Sequence, residues 1–154
     1  MYYNLGEIGK WESENSIYEA AIAAQYIKDL PKYKLDLDVV LALFHWGLIF
    51  RDNTLFKIVN NLDAKPLMDT NKFRKISSQR YEVVRETYLN GHYLYKGDLI
   101  RLESIEREEL QEMTQQLNSN LAKTNRTIAF YNLDEIVLKK WEISDLKAVV
   151  DRVK

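Results

Sequence analysis

The sequence predicts a mainly α-helical domain with one β-hairpin, and three observations carry that prediction. Glycine and proline together supply only seven of the 154 residues, too few for the many tight turns of a sandwich or barrel. Apolar side chains recur at helical spacing over several long stretches. One stretch alone, residues 92–102, alternates with a period of two, as a half-buried strand pair does.

Composition narrows the possibilities further. With 46% hydrophobic and 29% charged residues the chain can bury a core and is not of the disordered class. It has no cysteine, which removes disulfides, thiolate metal sites and thiol nucleophiles together. A net charge of −1 gives no overall pull toward nucleic acid or an anionic membrane. The length suits one domain, residues 1–154, with a core at 36–103 and flanking helices at 16–30 and 104–154. Met1–Lys10 has no basic stretch leading into an apolar one, so no secretory signal is expected. The longest apolar run, Val39–Phe50, is broken only by His45 and is about half a bilayer span. A cytoplasmic protein with no membrane partner is therefore expected.

The first helix is expected from Ser16, because Ser16 and Glu19 have capping-box spacing. Ala20, Ala21, Ala23 and Ala24 make it small-sided, and Pro31 stops it. A second helix is expected from Asp36 or Asp38 through Trp46, apolar almost all round and hence central. A strand is the competing reading for this run, and its length favours the helix. Thr54–Leu62 reads as a third helix, with Leu55, Ile58, Val59 and Leu62 on one side, closed by Lys65-Pro66.

Asp69 suits an N-cap for a short helix, Thr70–Ile76, and Ser77-Ser78 breaks and caps the next, Gln79–Asn90. Tyr81, Val84 and Tyr88 share a face of that helix, and Gly91 sits where a left-handed residue would end it. The hairpin follows. Gly97-Asp98 fits a two-residue turn with glycine first, placing Tyr95 opposite Ile100 and Tyr93 opposite Leu102. From Ser104 a long helix runs to about Ala122, with the narrow stripe Leu110, Met113, Leu117, Leu121. Thr127–Tyr131 reads as extended, Asn132 and Glu135 as the capped start of Leu133–Trp141, and Ser144 as the cap of a last helix.

Short helix, turn, longer helix, hairpin and long helix form a recognisable order. Phe73 to Val84, then Gly91-His92-Tyr93-Leu94 and the Gly97-Asp98 tip, resemble a winged helix-turn-helix. With a leading helix and long trailing helices, residues 36–121 are similar in size and order to MarR-type regulators. The resemblance departs from the family between Gly47 and Asp69, a segment longer than the family needs. It implies a homodimeric, non-enzymatic DNA-binding regulator or accessory protein without a cofactor. The small-sided first helix and the narrow stripe of the long helix also call for a partner surface.

Charge agrees with a nucleic-acid surface. Residues 71–101 hold seven basic and three acidic side chains, so the remainder carries the opposite excess of five. Clustered cations are what phosphate binding requires. The expected contacts to double-stranded DNA are Lys72, Arg74, Lys75, Gln79, Arg80, Arg85, Lys96 and Arg101. Gln79, Arg80 and Val83 would face base edges, and Lys96 and Arg101 would hold phosphates from the hairpin.

Two other classes compete with that reading. Ten tyrosines, five phenylalanines and three tryptophans suit a small protein–protein interaction module or an inhibitor of the mobile-element type. Arg85 and His92 resemble the Arg-x(4–6)-His signature of HEPN ribonucleases, an all-helical family in which one helix must present both. His45 reads as a core histidine, and Glu106, Glu108, Glu109 and Glu112 as the wet face of a helix, so neither metal nor cofactor is expected. A contiguous basic face beside the hairpin would favour DNA, and an exposed aromatic patch would favour protein.

Overall fold

The computed structural model describes residues 6–132 and 134–153. Met1–Leu5, within the expected leaderless amino terminus, Leu133, the expected start of a helix, and Lys154 lie outside the described residues. The chain is not mainly α: it is 31% helical and 28% strand, with a five-stranded antiparallel sheet and four α-helices. It divides into two compact units whose segments alternate along the sequence.

The first unit comprises residues 15–44 and those from Ile105 onward, joined by Gly6. It contains α1 (Ala20–Ile27), β1 (Val39–Ala42), α2 (Arg107–Asn120), β9 (Ile128–Tyr131), α3 (Glu135–Lys140) and α4 (Ile143–Val153). β1 and β9 form a parallel pair, Val39 beside Ile128 through Ala42 beside Tyr131. α2 packs against α1 and α4. Leu110, Met113 and Leu117 of its stripe are buried, as are Leu146, Val149 and Val153 of α4. The stripe that called for a second copy is thus covered largely within its own unit.

Helix boundaries here follow local chemistry with two shifts. α1 begins after Glu19 with no side-chain cap, so the Ser16–Glu19 box does not form. A reciprocal box forms at α2 instead, where the Glu109 carboxylate accepts the Glu106 N–H at 2.8 Å. α3 is capped by Asp134, whose Oδ1 accepts the Ile136 and Val137 N–H groups at 3.0 and 2.9 Å. The extended reading of Thr127–Tyr131 and the long helix after Ser104 both match the observed elements.

The second unit, residues 7–14 and 45–104, is a β structure, and here the expected winged helix is overturned. Its strands are β2 (His45–Arg51), β3 (Thr54–Asn60), β4 (Phe73–Lys75), β5 (Arg80–Val83), β6 (Thr87–Leu89), β7 (His92–Leu94) and β8 (Leu99–Ser104). The main sheet has the order β3-β2-β8-β5-β4, and β6 and β7 form a separate pair. β2 is central. Five consecutive residues, Trp46–Phe50, are buried because both faces of the strand are covered. This continuous burial, and not a helix, explains the apolar run, which holds two strands parted at Leu43–Phe44.

The expected helix 79–90 is likewise β5, a bend and β6. Tyr81 and Val83 are buried while Arg80 and Glu82 are half exposed, a period of two that the helical spacing of Tyr81, Val84 and Tyr88 obscures. Non-local pairing, with Arg80 opposite Arg101 and Tyr81 opposite Ile100, decides the outcome over local propensity. The hairpins fall elsewhere than expected. Asn90 and Gly91, with φ of 46° and 79°, make the two-residue turn that joins β6 to β7. Asp52 and Asn53, at 50° and 59°, make the equivalent turn between β2 and β3. Gly97 has the expected positive φ, 95°, but sits third in a turn closed by the Asp98 N–H on the Tyr95 carbonyl at 3.1 Å. Tyr95 therefore does not face Ile100, which pairs with Ile49 and Tyr81.

The core beneath the sheet joins Ile49, Leu62, Leu67, Phe73, Tyr81, Val83, Leu94 and Ile100. Gly47 of β2 is required by this packing, since a Cβ there would lie 2.1 Å from Leu62 Cδ2 and 3.1 Å from its Cβ. Gly47→Ala should lower unfolding free energy by about 1–3 kcal/mol through overpacking. The check is a urea midpoint that falls while the slope stays constant; an unchanged midpoint would show that Leu62 moves freely.

Candidate functional site

The structure scatters the eight residues expected to contact DNA. Arg101 on β8 is fully buried, with its Nε 2.7 Å from Glu103 Oε1. The second Glu103 oxygen accepts Trp46 Nε1 at 2.7 Å, so the pair is closed to solvent on both sides. The Arg101 guanidinium also donates to the carbonyls of Lys10, Trp11 and Ile8. Arg80 donates to those of Glu12 and Ser13, both at 3.0 Å. Arg80, expected at base edges, and Arg101, expected at a phosphate, instead clamp residues 7–14, whose Trp11 ring lies edge-on to Phe50 at 5.4 Å. Burial pushes the Arg101 guanidinium down from its ordinary value, against the opposing pull of Glu103.

The others serve local roles or stand alone. Arg74 on β4 pairs with Glu82, and Lys72 with Asp69 at 3.2 Å. Gln79 is half-buried, and its carbonyl accepts the Leu102 N–H at 2.8 Å. Lys75, Arg85 and Lys96 are exposed on β4, in the bend after β5 and in the turn before β8. No helix presents any of the eight. Arg85 and His92 lie on different elements, a bend and β7, so the one-helix arrangement of the HEPN signature is absent. Among the described residues no group of three or more histidine, aspartate or glutamate side chains could hold a metal ion.

What the second unit does bring together is aromatic. Arg51, at the end of β2, lies over the Phe56 ring of β3 at 4.0 Å and over the Tyr95 ring at 4.5 Å. Tyr95 meets Tyr93 of β7 edge-to-face with centroids 5.1 Å apart. Tyr93 meets Tyr88 of β6 in the same way at 5.0 Å. Phe56, Arg51, Tyr95, Tyr93 and Tyr88 thus form an unbroken ladder across β3, β2, the turn, β7 and β6. Its rings are open to solvent: Tyr88 is 71% exposed, Tyr95 50%, Phe56 48% and Tyr93 37%.

Each rung is fixed by a specific device. Asp98, 2% exposed, accepts Arg51 Nε at 3.0 Å and Nη2 at 2.7 Å, a bidentate grip on the guanidinium. The same carboxylate accepts the Tyr95 N–H at 2.9 Å, so one side chain fixes two neighbouring rungs. The hydrogen bond to Asp98 raises the Arg51 pKa against the opposing effect of burial, keeping the cation permanently charged. Phe56 is brought outward by an irregularity in β3, where the pairing steps from Ile49–Lys57 to Phe50–Leu55 and leaves Phe56 as the extra residue. The Tyr93 hydroxyl donates to Glu86 at 2.8 Å, and that bond raises the phenol pKa above its usual value.

The surroundings of the ladder are close to neutral. Arg51 is compensated by Asp98. Exposed Lys57 and Lys96, next in sequence to Phe56 and Tyr95, and exposed Arg85 stand against exposed Asp52, next to Arg51, and Glu86, bonded to Tyr93, a surplus of one positive charge. The ladder presents apolar faces, polarised ring edges and phenol hydroxyls. The sequence placed Tyr88 on a helix and Tyr93 and Tyr95 on a 92–102 hairpin, and so did not bring them together. The signals that would have done so are the Asn90-Gly91 and Asp52-Asn53 turns, which set the β6–β7 and β2–β3 registers.

No family model, curated protein or solved structure matches the chain.

Two outcomes test how the ladder is built. Asp98→Ala should cost about 2–4 kcal/mol, because Arg51 and the Tyr95 N–H both lose a buried acceptor. A loss under about 0.5 kcal/mol in denaturant unfolding would show that the ladder does not need its anchor. Glu86→Gln should bring Tyr93 back toward the ordinary phenol value of about 10. In the native protein Tyr93 holds its proton to higher pH than a free tyrosine, so the Glu86 bond is intact at neutral pH and lost as pH rises through the phenol titration. Carbon-13 tyrosine NMR across that titration reads the difference; identical Tyr93 curves in both proteins would remove the bond.

Proposed function

We propose that the chain is a non-enzymatic protein-binding module whose docking surface is the aromatic ladder of the sheet unit. The observation that carries this reading is the unbroken exposed stack Phe56–Arg51–Tyr95–Tyr93–Tyr88. Contiguous exposed apolar surface marks interaction sites, whereas isolated apolar side chains do not. Tyrosine and arginine dominate the energetic centres of interfaces, because they offer large contact area with few rotatable bonds. Here the rings also fix one another, so little side-chain freedom remains to be lost on binding.

Electrostatics supports the same choice. Duplex binding draws on several free cations arranged along one face. Arg101 is buried and Arg80, Arg74 and Lys72 are engaged by the protein itself. The ladder offers instead a neutral, aromatic surface, the kind expected to favour a protein partner.

Panning a random dodecapeptide phage library on the full chain, with the Tyr88→Ala/Tyr93→Ala double variant for counter-selection, tests the reading. Tyr88 is largely exposed, so Tyr88→Ala alone should change stability by less than about 0.5 kcal/mol. Enriched clones should bind the wild-type chain at least about tenfold more tightly than the double variant, a loss of about 1.4 kcal/mol. If no clone discriminates between the two proteins, the ladder is not a docking surface.

A further inference from the structure

We infer that the ladder takes an uncharged, proline-rich segment in the polyproline II conformation, an inference that rests on the docking reading above. Three properties of the ladder point to this ligand. The first is charge. Arg51 is neutralised by Asp98, and of the flanking Lys57, Lys96 and Arg85 two are offset by Asp52 and Glu86. A phosphate backbone or a strongly acidic peptide would find a single surplus cation there, far short of the clustered cations it draws on.

The second is the hydrogen-bonding inventory. Among the described residues the Tyr88 and Tyr95 hydroxyls bond to no protein group, and they stand on exposed side chains. They are donors in search of acceptors. A polyproline II segment is the complementary partner, since its carbonyls have no internal hydrogen bonds and proline brings no N–H that would require an acceptor. An added β-strand would need both donors and acceptors on a sheet edge, whereas the ladder offers ring faces and hydroxyls.

The third is spacing. Neighbouring rings lie 5.0 and 5.1 Å apart and meet edge-to-face, at interplanar angles of 69° and 83°. Such packing exposes alternating ring faces and edges, against which the pyrrolidine rings of a proline-rich segment can pack. Polyproline II advances about 3.1 Å per residue and about 9 Å per turn. The Tyr88 and Tyr95 rings each lie about 5 Å from Tyr93 and so no more than about 10 Å apart, close to the span of a single turn of such a ligand. Because both partners are already ordered, association has little conformational entropy to overcome.

The test uses the full chain and a terminally blocked decaproline peptide, followed by NMR of the aromatic and backbone signals. The expected result is saturable binding, with shifts concentrated at Phe56, Tyr88, Tyr93 and Tyr95. Affinity should fall at least about tenfold in Tyr93→Ala and about three- to tenfold in Tyr88→Phe and Tyr95→Phe, which keep the ring and lose the donor. No ladder shifts at millimolar peptide would overturn the inference, as would tighter binding of oligothymidylate than of decaproline at the same rings. The two levels of the argument separate cleanly. Ladder-dependent phage clones that lack proline would sink the proline-rich ligand while sparing the docking surface. No ladder-dependent clones at all would sink both.

Discussion

Asp98 is the residue on which the sheet unit turns. Its carboxylate is nearly inaccessible to solvent and holds Arg51 through two hydrogen bonds and the Tyr95 N–H through a third. Its backbone is as fully committed: its N–H closes the turn on Tyr95, and its carbonyl accepts the Val83 N–H at 2.8 Å. Gly97, next in line, donates to the Val83 carbonyl at 2.8 Å, with a φ of 95° that side chains resist. The end of β2, the end of β5 and the start of β8 therefore converge on two residues. A buried carboxylate is tolerable only when charge and lone pairs are all met, and satisfying them orders the ladder as a by-product.

Much of the helical unit was legible in the sequence because its signals are local. The α2 stripe and the final helix depend on neighbours within a few residues, and such periodicity survives without knowledge of the fold. The sheet unit was not legible in the same way. Residues 80–83 show a period of two over only four positions, too short to outweigh the helical spacing of Tyr81, Val84 and Tyr88. β2 is buried on both faces, so it lost the alternation that would have marked it as a strand. Scarcity of glycine and proline misled as well. Asp52, Asn53, Asn61 and Asn90 all adopt positive φ, so asparagine and aspartate make turns that glycine was expected to make.

The candidate site was misread for a different reason. A list of cations records charge and omits burial. Arg80 and Arg101 belong to β5 and β8, and the clamp they form on residues 7–14 joins positions some 70 to 90 apart in the chain. No local pattern reports such a contact. The tyrosines were visible as a count, but assigning Tyr93 and Tyr95 to the apolar face of a β7–β8 hairpin placed them in a core. Pairing β7 with β6 leaves Tyr93 opposite Tyr88 and exposed, and Tyr95 falls in the exposed turn before β8, so supposed core becomes surface.

Arg51 and Arg101 show how depth alone divides one side-chain type between structure and recognition. Arg101 has no exposed surface, so its donors must be met from within, by Glu103 and by carbonyls of residues 8, 10 and 11. A guanidinium satisfied so completely has nothing left to offer a ligand. Arg51 keeps a quarter of its side chain in solvent and directs its donors in the other direction, onto Asp98. That leaves the flat faces of the guanidinium for Phe56 and Tyr95, and a stacked guanidinium is far stiffer than a free one. The charge is spent on holding rings in place, and the surface presented outward is aromatic. A neutral, preordered surface of this kind gains little from long-range attraction and most from shape. That is the regime in which a rigid, uncharged ligand is recognised better than a flexible, charged one.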